Sequence, residues 1–449
     1  MNYLNNLPNV EKLNGKKAIF LLGTDQNIGE GLDEHGNAKK SETRVGIVPD
    51  QVEAIRNWLE SNGVALDFFF VKGAGTRADF LDSAYLKIGG QVLFEHQLST
   101  MPSPDVVHAL KEPCAYETFI PGPFLRIGAL HSGAFTNDSG VAFLFKRRNF
   151  SAIFDGSNVG DHINIPIRGS MSPIAGEIAA ERAKKHLDEQ SMQNGKVVIS
   201  GGGVVGKSAL NEFIRIANNK YAEILLVELN KTTLGSLKET HKDNEKVTFV
   251  EGNCLTEEHI SKAHAVILTA VKDNSAPDVL NFSDIGKMSD NSIIVDVSID
   301  ERGGIDLENF DRKDKNFSLA EVVKKISDSI EELEKGIKYI ADDHLPMYRP
   351  KPASIAHGEA VMPYIAMLLY CSAKLGGARP AARYVLESDF DDQPTDAKVI
   401  LNHLRRGLAF YSPVPIRYNN LIIKDTNDAK NKSNFEDFFN ESGIEFDIF

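Results

Sequence analysis

Three glycines in the middle of the chain stand at the spacing G-x-G-x-x-G, directly after a short apolar stretch. They are Gly201, Gly203 and Gly206, and the stretch is Val197–Ser200. In a strand–turn–helix of this kind one glycine permits a tight bend, one lets the backbone approach a pyrophosphate, and one allows close packing of helix on strand. Backbone N–H groups at the start of the helix then face the phosphates. The pattern predicts a dinucleotide-binding turn, and the alternative is a glycine-tolerant turn without a ligand.

An acidic side chain follows the glycines at the distance expected for ribose recognition. Glu228 ends the next apolar stretch, about 20 residues after Gly206. Its carboxylate can accept hydrogen bonds from the adenosine ribose hydroxyls and would repel a 2′-phosphate, which favours NAD over NADP as the cofactor. The residues expected to contact the cofactor are Gly201, Gly203, Val204, Val205, Gly206, Glu228, Thr269 and Val271.

The elements that must position this turn alternate between short apolar strands and helices. In the first half, strands at Lys17–Leu22 and Val64–Val71 flank a helix that opens at Pro49 and stops before Gly63. A long helix is predicted at Pro173–Gln193, as a connector to a second series of the same kind. The strands of that series are Val197–Ser200, Ile224–Val227, Val247–Val250, Ala265–Leu268 and Ser292–Val295. This β-α-β rhythm predicts mostly parallel sheets covered by helices.

Further helices are predicted at Leu319–Tyr339 and at Met362–Leu375, and Asp425–Asp437 has the composition of a loop. Ligands of such α/β folds bind at the carboxyl ends of the strands.

Composition and charge exclude several classes of function. The chain has 449 residues, and its 63 acidic against 50 basic residues give a net charge of −13, which argues against nucleic-acid binding and against a polybasic membrane surface. The three cysteines are far apart and support neither a disulfide framework nor a zinc ribbon. No pair of histidines or carboxylates has a spacing typical of a metal site. The N-terminus does not resemble a secretory signal and no apolar run reaches the ~20 residues of a membrane span, so we expect a cytoplasmic protein.

Five motifs, in order along most of the chain, resemble the superfamily of alanine dehydrogenase, the transhydrogenase N-terminal part and saccharopine dehydrogenase. Glu42–Pro49 resembles its E-x-R-V-x-x-x-P entry, and Leu110–Pro113 resembles its V-K-E-P. His131 follows a strand where that family has its catalytic histidine. Met171–Gly176 matches M-S-x-x-A-G before a long helix, and Ile294–Gly304 resembles V-D-x-x-I-D-x-G-G.

The resemblance implies a substrate pocket of charged side chains. A substrate α-carboxylate needs a fixed cation, and the planar fork of Arg44 suits it, although Arg44 could instead form a surface salt bridge with Glu42. The family context makes Lys111 a ligand of the substrate carboxylate or carbonyl, or a proton-transfer group. His131 is the expected general acid/base, because an imidazole titrates near neutrality.

Two aspartates and a second histidine could each have either a functional or a structural role. Asp300 is expected to reach the nicotinamide ribose or the substrate, against the alternative of a turn-forming aspartate. Asp296 is expected to be structural. His344 is expected to line the substrate site, and a solvent-facing loop histidine is an equal alternative. The catalytic set is thus Lys111, His131 and Asp300, and the substrate-binding set is Arg44, Lys111 and His344.

The C-terminal motif bears on the subfamily. Asp343–Pro346, followed by Pro350 and Ala353–Ser354, resembles the D-H-L-P…P…A-S run of saccharopine dehydrogenases, where alanine dehydrogenases carry Asn-Met-Pro. The glycine turn and the V-D-V-S-I-D run resemble alanine dehydrogenase more closely. The polar loop Gly23–Ser41 and the C-terminal extension depart from both.

These observations predict an α/β protein of two Rossmann-like domains with a cleft between them, the cofactor domain being inserted in a discontinuous substrate domain. The expected bounds are residues 1–175 for the substrate domain, 176–340 for the NAD-binding domain and 341–449 for the rest of the substrate domain. The expected function is an NAD-dependent amino-acid dehydrogenase of saccharopine or opine type that transfers hydride at a C–N bond. The alternatives are alanine dehydrogenase and a non-catalytic nucleotide-binding regulatory protein. The expected partner is an amino acid or 2-oxo acid, with no nucleic acid and no membrane, and a homo-oligomer is left open.

Overall fold

The computed structural model describes most of the chain as two compact units. The described residues are 7–24, 42–111, 113–129, 144, 149–156, 165, 167–192, 195–217, 221–270, 279–298, 304–305, 330–332, 334–342, 344–411, 421–423 and 446–448. The first unit comprises Met1–Ser170 and Pro350–Phe449, and the second comprises Met171–Arg349.

The described strands and helices follow the alternation expected from the sequence. The strands are β1 Lys16–Leu22, β2 Val64–Val71, β3 Gln91–Leu93, β4 Val106–His108, β5 Phe124–Gly128, β6 Phe150–Asp155, β7 Gly195–Ser200, β8 Tyr221–Glu228, β9 Val247–Glu251, β10 Ala263–Leu268, β11 Ile293–Asp296, β12 Ile330–Glu332, β13 Lys338–Ala341, β14 Leu408–Tyr411, β15 Leu421–Ile423 and β16 Phe446–Ile448. The helices are α1 Pro49–Ser61, α2 Asp82–Lys87, α3 Ser172–Glu189, α4 Val204–Ala217, α5 Lys231–Thr240, α6 Glu257–Ile260, α7 Pro350–Leu375, α8 Ala378–Glu387 and α9 Thr395–Gly407.

The first unit is built on a mostly parallel sheet in the order β16-β15-β14-β6-β5-β4-β1-β2-β3. The run from β3 to β6 is parallel throughout, and β14 joins β6 in antiparallel orientation. Strand order reverses between β1 and β4, since the chain moves outward from β1 to β3 and then returns to β4. Ligands of open α/β sheets bind outside the carboxyl ends of the strands at such a switch point.

The second unit repeats this arrangement with strand order β12-β13-β11-β10-β7-β8-β9. Its switch point lies between β7 and β10, which pair in parallel. The predicted α/β fold with two Rossmann-like sheets is therefore confirmed.

Apolar side chains on these elements form the core of each unit. In the first unit, α7 packs on the sheet with its apolar half, Val361–Ala373, buried apart from the partly buried Pro363. In the second unit, residues of β7, β8, β10 and β11 pack together with Tyr339 of β13. No single helix in the described part of the chain is long and apolar enough to cross a membrane, while the bent pair α7 and α8, at 109°, meets that test by length and composition.

One predicted helix, Leu319–Tyr339, is wrong over its described part. Ile330–Glu332 and Lys338–Ala341 are instead antiparallel strands of the second sheet. The backbone between them enters the left-handed region at Lys335 and Gly336, with φ of 60° and 69°, which a helix cannot contain. Residues 337–341 also alternate between buried and half-buried, the period of a strand rather than of a helix.

Candidate active site

The glycine turn lies at the switch point of the second unit, directly after β7. Gly201 has φ of +85°, a conformation that favours glycine. A Cβ on Gly206 would lie 1.9 Å from the carbonyl oxygen of Gly201, so the first turn of α4 can approach the strand only without a side chain there. A Cβ on Gly203, in contrast, would meet nothing within 4 Å. The three glycines thus serve the bend, the helix packing and an open approach to the backbone.

The helix that follows the turn is held close to its neighbour by another glycine. A Cβ on Gly176 of α3 would lie 2.2 Å from the carbonyl oxygen of Val205. Ser208 of α4 also donates its hydroxyl to the carbonyl of Pro173 at 2.8 Å. The M-S-x-x-A-G segment therefore fixes the start of α4, where Val204 and Val205 present the N-terminal N–H groups that an anion would meet.

Glu228 reaches the glycine turn from the end of β8. One of its carboxylate oxygens accepts a hydrogen bond from the N–H of Gly202, and the other accepts from the N–H of Asn230 at 2.6 Å. Both oxygens have further lone pairs, and the side chain is partly exposed. The acidic group that the sequence assigns to ribose recognition is thus fixed beside the turn.

Thr269 completes this switch point from the end of β10. Its hydroxyl donates to the carbonyl of Ser200 at 2.6 Å, and its N–H donates to the same carbonyl at 3.1 Å. Thr269 therefore ties the end of β10 to the end of β7. Val271 lies outside the described residues.

Arg44 and Glu42 lie at the switch point of the first unit, on the connection from β1 to α1. Arg44 Nε donates to Glu42 Oε1 at 2.7 Å, and Arg44 Nη2 donates to Glu42 Oε2 at 2.8 Å. The alternative interpretation of Arg44 was a surface salt bridge with Glu42. Glu42 is indeed its partner, but both side chains are buried, at 6% exposure for Arg44 and 2% for Glu42. A surface location is therefore wrong for this pair.

Lys111 enters the same cluster from the connection between β4 and β5. Its Nζ lies 3.6 Å from Glu42 Oε2, and its side chain is 28% exposed. Burial would raise the pKa of Glu42, but hydrogen bonding and charge attraction from Arg44, with the charge of Lys111, lower it to about 2. One ionised carboxylate thus orients two cations, and the three charges sum to one net positive charge.

The start of α7 holds the Glu42–Pro49 segment in place. Ser354 donates its hydroxyl to the carbonyl of Pro350 at 2.7 Å, and the same oxygen accepts from the N–H of Val45 at 2.9 Å. Gln51 donates to the carbonyl of Ile355 at 2.8 Å, and a Cβ on Gly358 would lie 1.8 Å from Gln51 Oε1. The Ala353–Ser354 motif therefore supports the arginine segment of the same unit.

Two buried histidines that no sequence motif singles out stack beside this cluster. The rings of His108 and His357 are 5.7 Å apart at 8°. His108 Nδ1 donates to the carbonyl of Ile127 at 2.9 Å, whereas neither ring nitrogen of His357 has a hydrogen-bond partner in the described part of the chain. Burial lowers the pKa of His108 to about 4 and that of His357 well below its usual value. Both rings are therefore neutral near pH 7.

The remaining predicted site residues are placed as follows. His131 and Asp300 lie outside the described residues. His344 lies in the second unit, before the single-turn helix Leu345–Tyr348, where its N–H donates to Asp342 Oδ1 at 3.0 Å. Asp296 is structural as expected, because it is fully buried and accepts hydrogen bonds from Ser298, Gly304 and Tyr339. Its burial raises its pKa.

Within each unit the structure brings the predicted residues together. Arg44 and Lys111 meet through Glu42 in the first unit, and the glycines meet Glu228 and Thr269 in the second. In the sequence, Glu42 stood out only as the first residue of the E-x-R-V-x-x-x-P motif. Its contact with Lys111 joins two different connections of the sheet, and a sequence motif does not show such a contact. No cluster of three or more His, Cys, Asp or Glu side chains suited to a metal ion occurs among the described residues.

In comparisons with known proteins, this chain is similar to alanine dehydrogenases. Residues 189–382 match the family model described as alanine dehydrogenase/PNT, C-terminal domain. Alanine dehydrogenase 2 of Staphylococcus aureus (strain USA300) is 25% identical over 349 residues, covering 74% of this chain and 85% of that protein. Alanine dehydrogenase of Staphylococcus haemolyticus (strain JCSC1435) is 25% identical over 346 residues, covering 74% and 84%.

Two solved structures share the fold. An L-alanine dehydrogenase superposes with a TM-score of 0.62 at 20% identity, over 93% of this chain and 99% of its own. The transhydrogenase from Sinorhizobium meliloti superposes with a TM-score of 0.58 at 18% identity, over 79% and 96%.

Proposed function

Because the chain belongs to the alanine dehydrogenase and transhydrogenase superfamily, we propose that it is a nicotinamide-dependent oxidoreductase that transfers hydride at a C–N bond of an amino acid. The observation that carries this proposal is the set of residues that each of the two switch points holds. One holds a glycine turn with an acidic residue beside it, and the other holds a buried carboxylate with two cations. A dehydrogenase of this class needs both a dinucleotide site and an anion site for its substrate.

The second unit fits a dinucleotide. The open space at Gly203, the positive φ of Gly201 and the N-terminal N–H groups of α4 suit a pyrophosphate, and Glu228 suits an unphosphorylated ribose. We therefore propose NAD rather than NADP. The nicotinamide ring supplies or accepts the hydride when it is bound.

The first unit fits a carboxylate-bearing substrate. Glu42 is held ionised and neutralises one of its two cations, so an anion that approaches Arg44 and Lys111 meets one net positive charge. Arg44 is the proposed carboxylate ligand, since it is fixed in orientation by Glu42. Lys111, which is partly exposed, is the proposed ligand of the carbonyl or the proton-transfer group.

Three further roles come from the resemblance and from chemistry. His131 is proposed as the general acid/base that exchanges a proton with the amine or with water. Asp300 is proposed to contact the nicotinamide ribose or the substrate, and His344 to contact the substrate. Replacement of His131 by Gln is expected to lower turnover by about 10²-fold or more, in the range of general acid–base catalysis.

Two substrate classes are candidates, and a specific observation favours each. The relatives named alanine dehydrogenase favour pyruvate and ammonia, with a primary amine as product. The Asp343–Pro346 motif with Ala353–Ser354 favours a saccharopine or opine substrate, whose secondary amine is oxidised to an imine and then hydrolysed. The small-molecule partner is in both cases an amino acid or a 2-oxo acid.

A substrate panel separates these classes. The purified protein would be assayed with NADH, pyruvate and ammonium, with NADH, 2-oxoglutarate and lysine, and with other amino acid and oxo acid pairs, by following the absorbance of reduced nicotinamide. Oxidation only with ammonium supports the alanine type, and oxidation only with an amino acid as the amine supports the saccharopine or opine type. Tight NADH binding without turnover of any pair would favour a regulatory protein and contradict the proposal.

A further inference from the structure

A second arginine, Arg126 of β5, is completely buried next to the switch point of the first unit. Arginine rarely occupies a fully buried position unless it is paired. Here the partner is Glu117 in the single-turn helix Ala115–Phe119, and both side chains are 0% exposed. Arg126 Nε donates to Glu117 Oε2 at 2.8 Å, and Arg126 Nη2 donates to Glu117 Oε1 at 3.1 Å.

Arg126 also donates to three backbone carbonyls at the carboxyl ends of β4 and β5. Its Nη1 donates to the carbonyls of Ala109 at 3.2 Å and Ile127 at 2.6 Å. Its Nη2 also donates to the carbonyl of Lys111 at 3.0 Å. The carbonyls of Ala109 and Lys111 belong to the segment through which the chain leaves β4, and that of Ile127 lies in β5, so the guanidinium ties the segment after β4 to the neighbouring strand.

Glu117 is fixed in turn by its own neighbours. Its Oε1 accepts the N–H of Cys114 at 3.3 Å, and its backbone carbonyl accepts from Asn149 at 3.1 Å. The Arg126–Glu117 pair thus clamps both ends of the segment that carries Lys111. A buried ion pair is weak evidence for a stabilising role, because desolvation offsets the charge attraction. Its geometric effect on Lys111 is the more specific consequence.

We propose that Arg126, held by Glu117, is a positioning residue that sets the backbone of Lys111 and thereby the direction of its ammonium group toward Glu42 and the substrate. The substrate part of this inference rests on the proposed function, whereas the effect on Lys111 does not. A planar fork is required for this task, since a lysine cannot donate to Glu117 and to three carbonyls together.

The test compares one paired replacement with two single ones. Arg126→Met combined with Glu117→Leu removes both charges at similar volume, so that no buried charge is left unpaired. Arg126→Lys keeps the charge but loses the fork. The matched control is Arg405→Lys, because Arg405 also donates to backbone carbonyls of the first unit, but to those of Val385 and Ser388 rather than to the segment that carries Lys111.

Two readouts are needed. Acetylation of Lys111 by N-acetoxysuccinimide, measured by peptide mass spectrometry relative to the exposed Lys185, is expected to change by about threefold or more in the paired variant and less in Arg126→Lys. The KM for the 2-oxo acid is expected to rise by about 10- to 100-fold, the scale of a misplaced ligand, while the KM for NADH stays within twofold. The Arg405→Lys protein should match the unmodified protein in both.

The outcomes separate this inference from the proposed function. If Lys111 labelling and the oxo-acid KM are unchanged in folded variants, Arg126 does not position Lys111. If the paired variant does not fold, the same criterion is applied to Arg126→Lys. If no substrate pair is turned over, labelling alone decides the positioning role, and the proposed function fails by itself.

Discussion

At the residue scale, Glu42 organises the proposed substrate site. A buried carboxylate with two cationic partners is strongly coupled to both, and removal of one member of a buried pair leaves an uncompensated charge. A change at Glu42 is therefore expected to affect both stability and the proposed anion site of the first unit.

Glu42→Gln tests this coupling. We expect a loss of about 3 kcal/mol in the free energy of unfolding, because Arg44 loses its buried counter-charge. The matched control is Asp67→Asn, whose surface pair with Lys17 has side chains that are 33% and 59% exposed and should contribute less than about 1 kcal/mol. Urea unfolding of both variants gives the comparison, and equal losses would contradict a special role of Glu42.

The buried histidine pair predicts a pH dependence of stability. The pKa of His108 is lowered from 6.5 to about 4, so the unfolded chain binds a proton that the folded protein does not. Stability should therefore be complete above about pH 6.5, fall as the pH decreases toward 4, and level off below that. The lowered pKa of His357 acts in the same direction, and the charges of Arg44 and Arg126 near the pair oppose protonation.

His108→Gln should flatten this slope between pH 6.5 and 5. His96→Gln is the control, since His96 is exposed. Free energies of unfolding in urea at several pH values measure both. A slope that survives in His108→Gln at its full size would mean that other groups cause it.

At the element scale, each glycine of the turn has a separate physical task. Gly201 and Gly206 are required by the backbone itself, through a positive φ and a contact of 1.9 Å. Gly203 has no such contact within the described part of the protein, so a pyrophosphate that approaches the turn is the proposed reason for a glycine there.

Gly203→Ala should therefore lower the affinity for NADH by about 10-fold without loss of stability. The control Gly235→Ala, at an exposed position in α5 with open space, should raise stability by about 0.5–1 kcal/mol and leave NADH affinity unchanged. Fluorescence titration with NADH and thermal unfolding measure the two effects. Unchanged NADH affinity in Gly203→Ala would argue against a pyrophosphate at the turn.

At the scale of the whole molecule, cofactor binding should raise the free energy of unfolding. A ligand that binds only the folded state stabilises it by about 2.7 kcal/mol at 100 times its Kd. NADH should raise the unfolding temperature more than NADPH at equal concentration, because Glu228 would face the 2′-phosphate. Thermal unfolding with each nucleotide tests this, and equal protection by NADPH would contradict the assignment of Glu228.

Sequence patterns were reliable where structure is local. The strand–turn–helix at 197–217, the helix at Pro49–Ser61 and the strand Val64–Val71 follow from apolar periodicity, capping and glycine, which act between near neighbours. The predicted helix at Leu319–Tyr339 failed for the opposite reason. Its described part contains β12 and the start of β13; β13 pairs with β11, and such pairing depends on a partner distant in sequence.

The sequence by itself determined the two α/β series and the glycine turn, and it singled out Arg44 and Lys111 as candidate ligands of an anion. Only the tertiary structure decided that Glu42 joins them, that His108 and His357 stack beside them, and that Arg126 fixes the segment of Lys111. The physical reason is that a strand order reversing between β1 and β4 brings the ends of separate connections together. A charged residue within the apolar strand Phe124–Gly128 was visible in the sequence, but its partners were defined by folding alone.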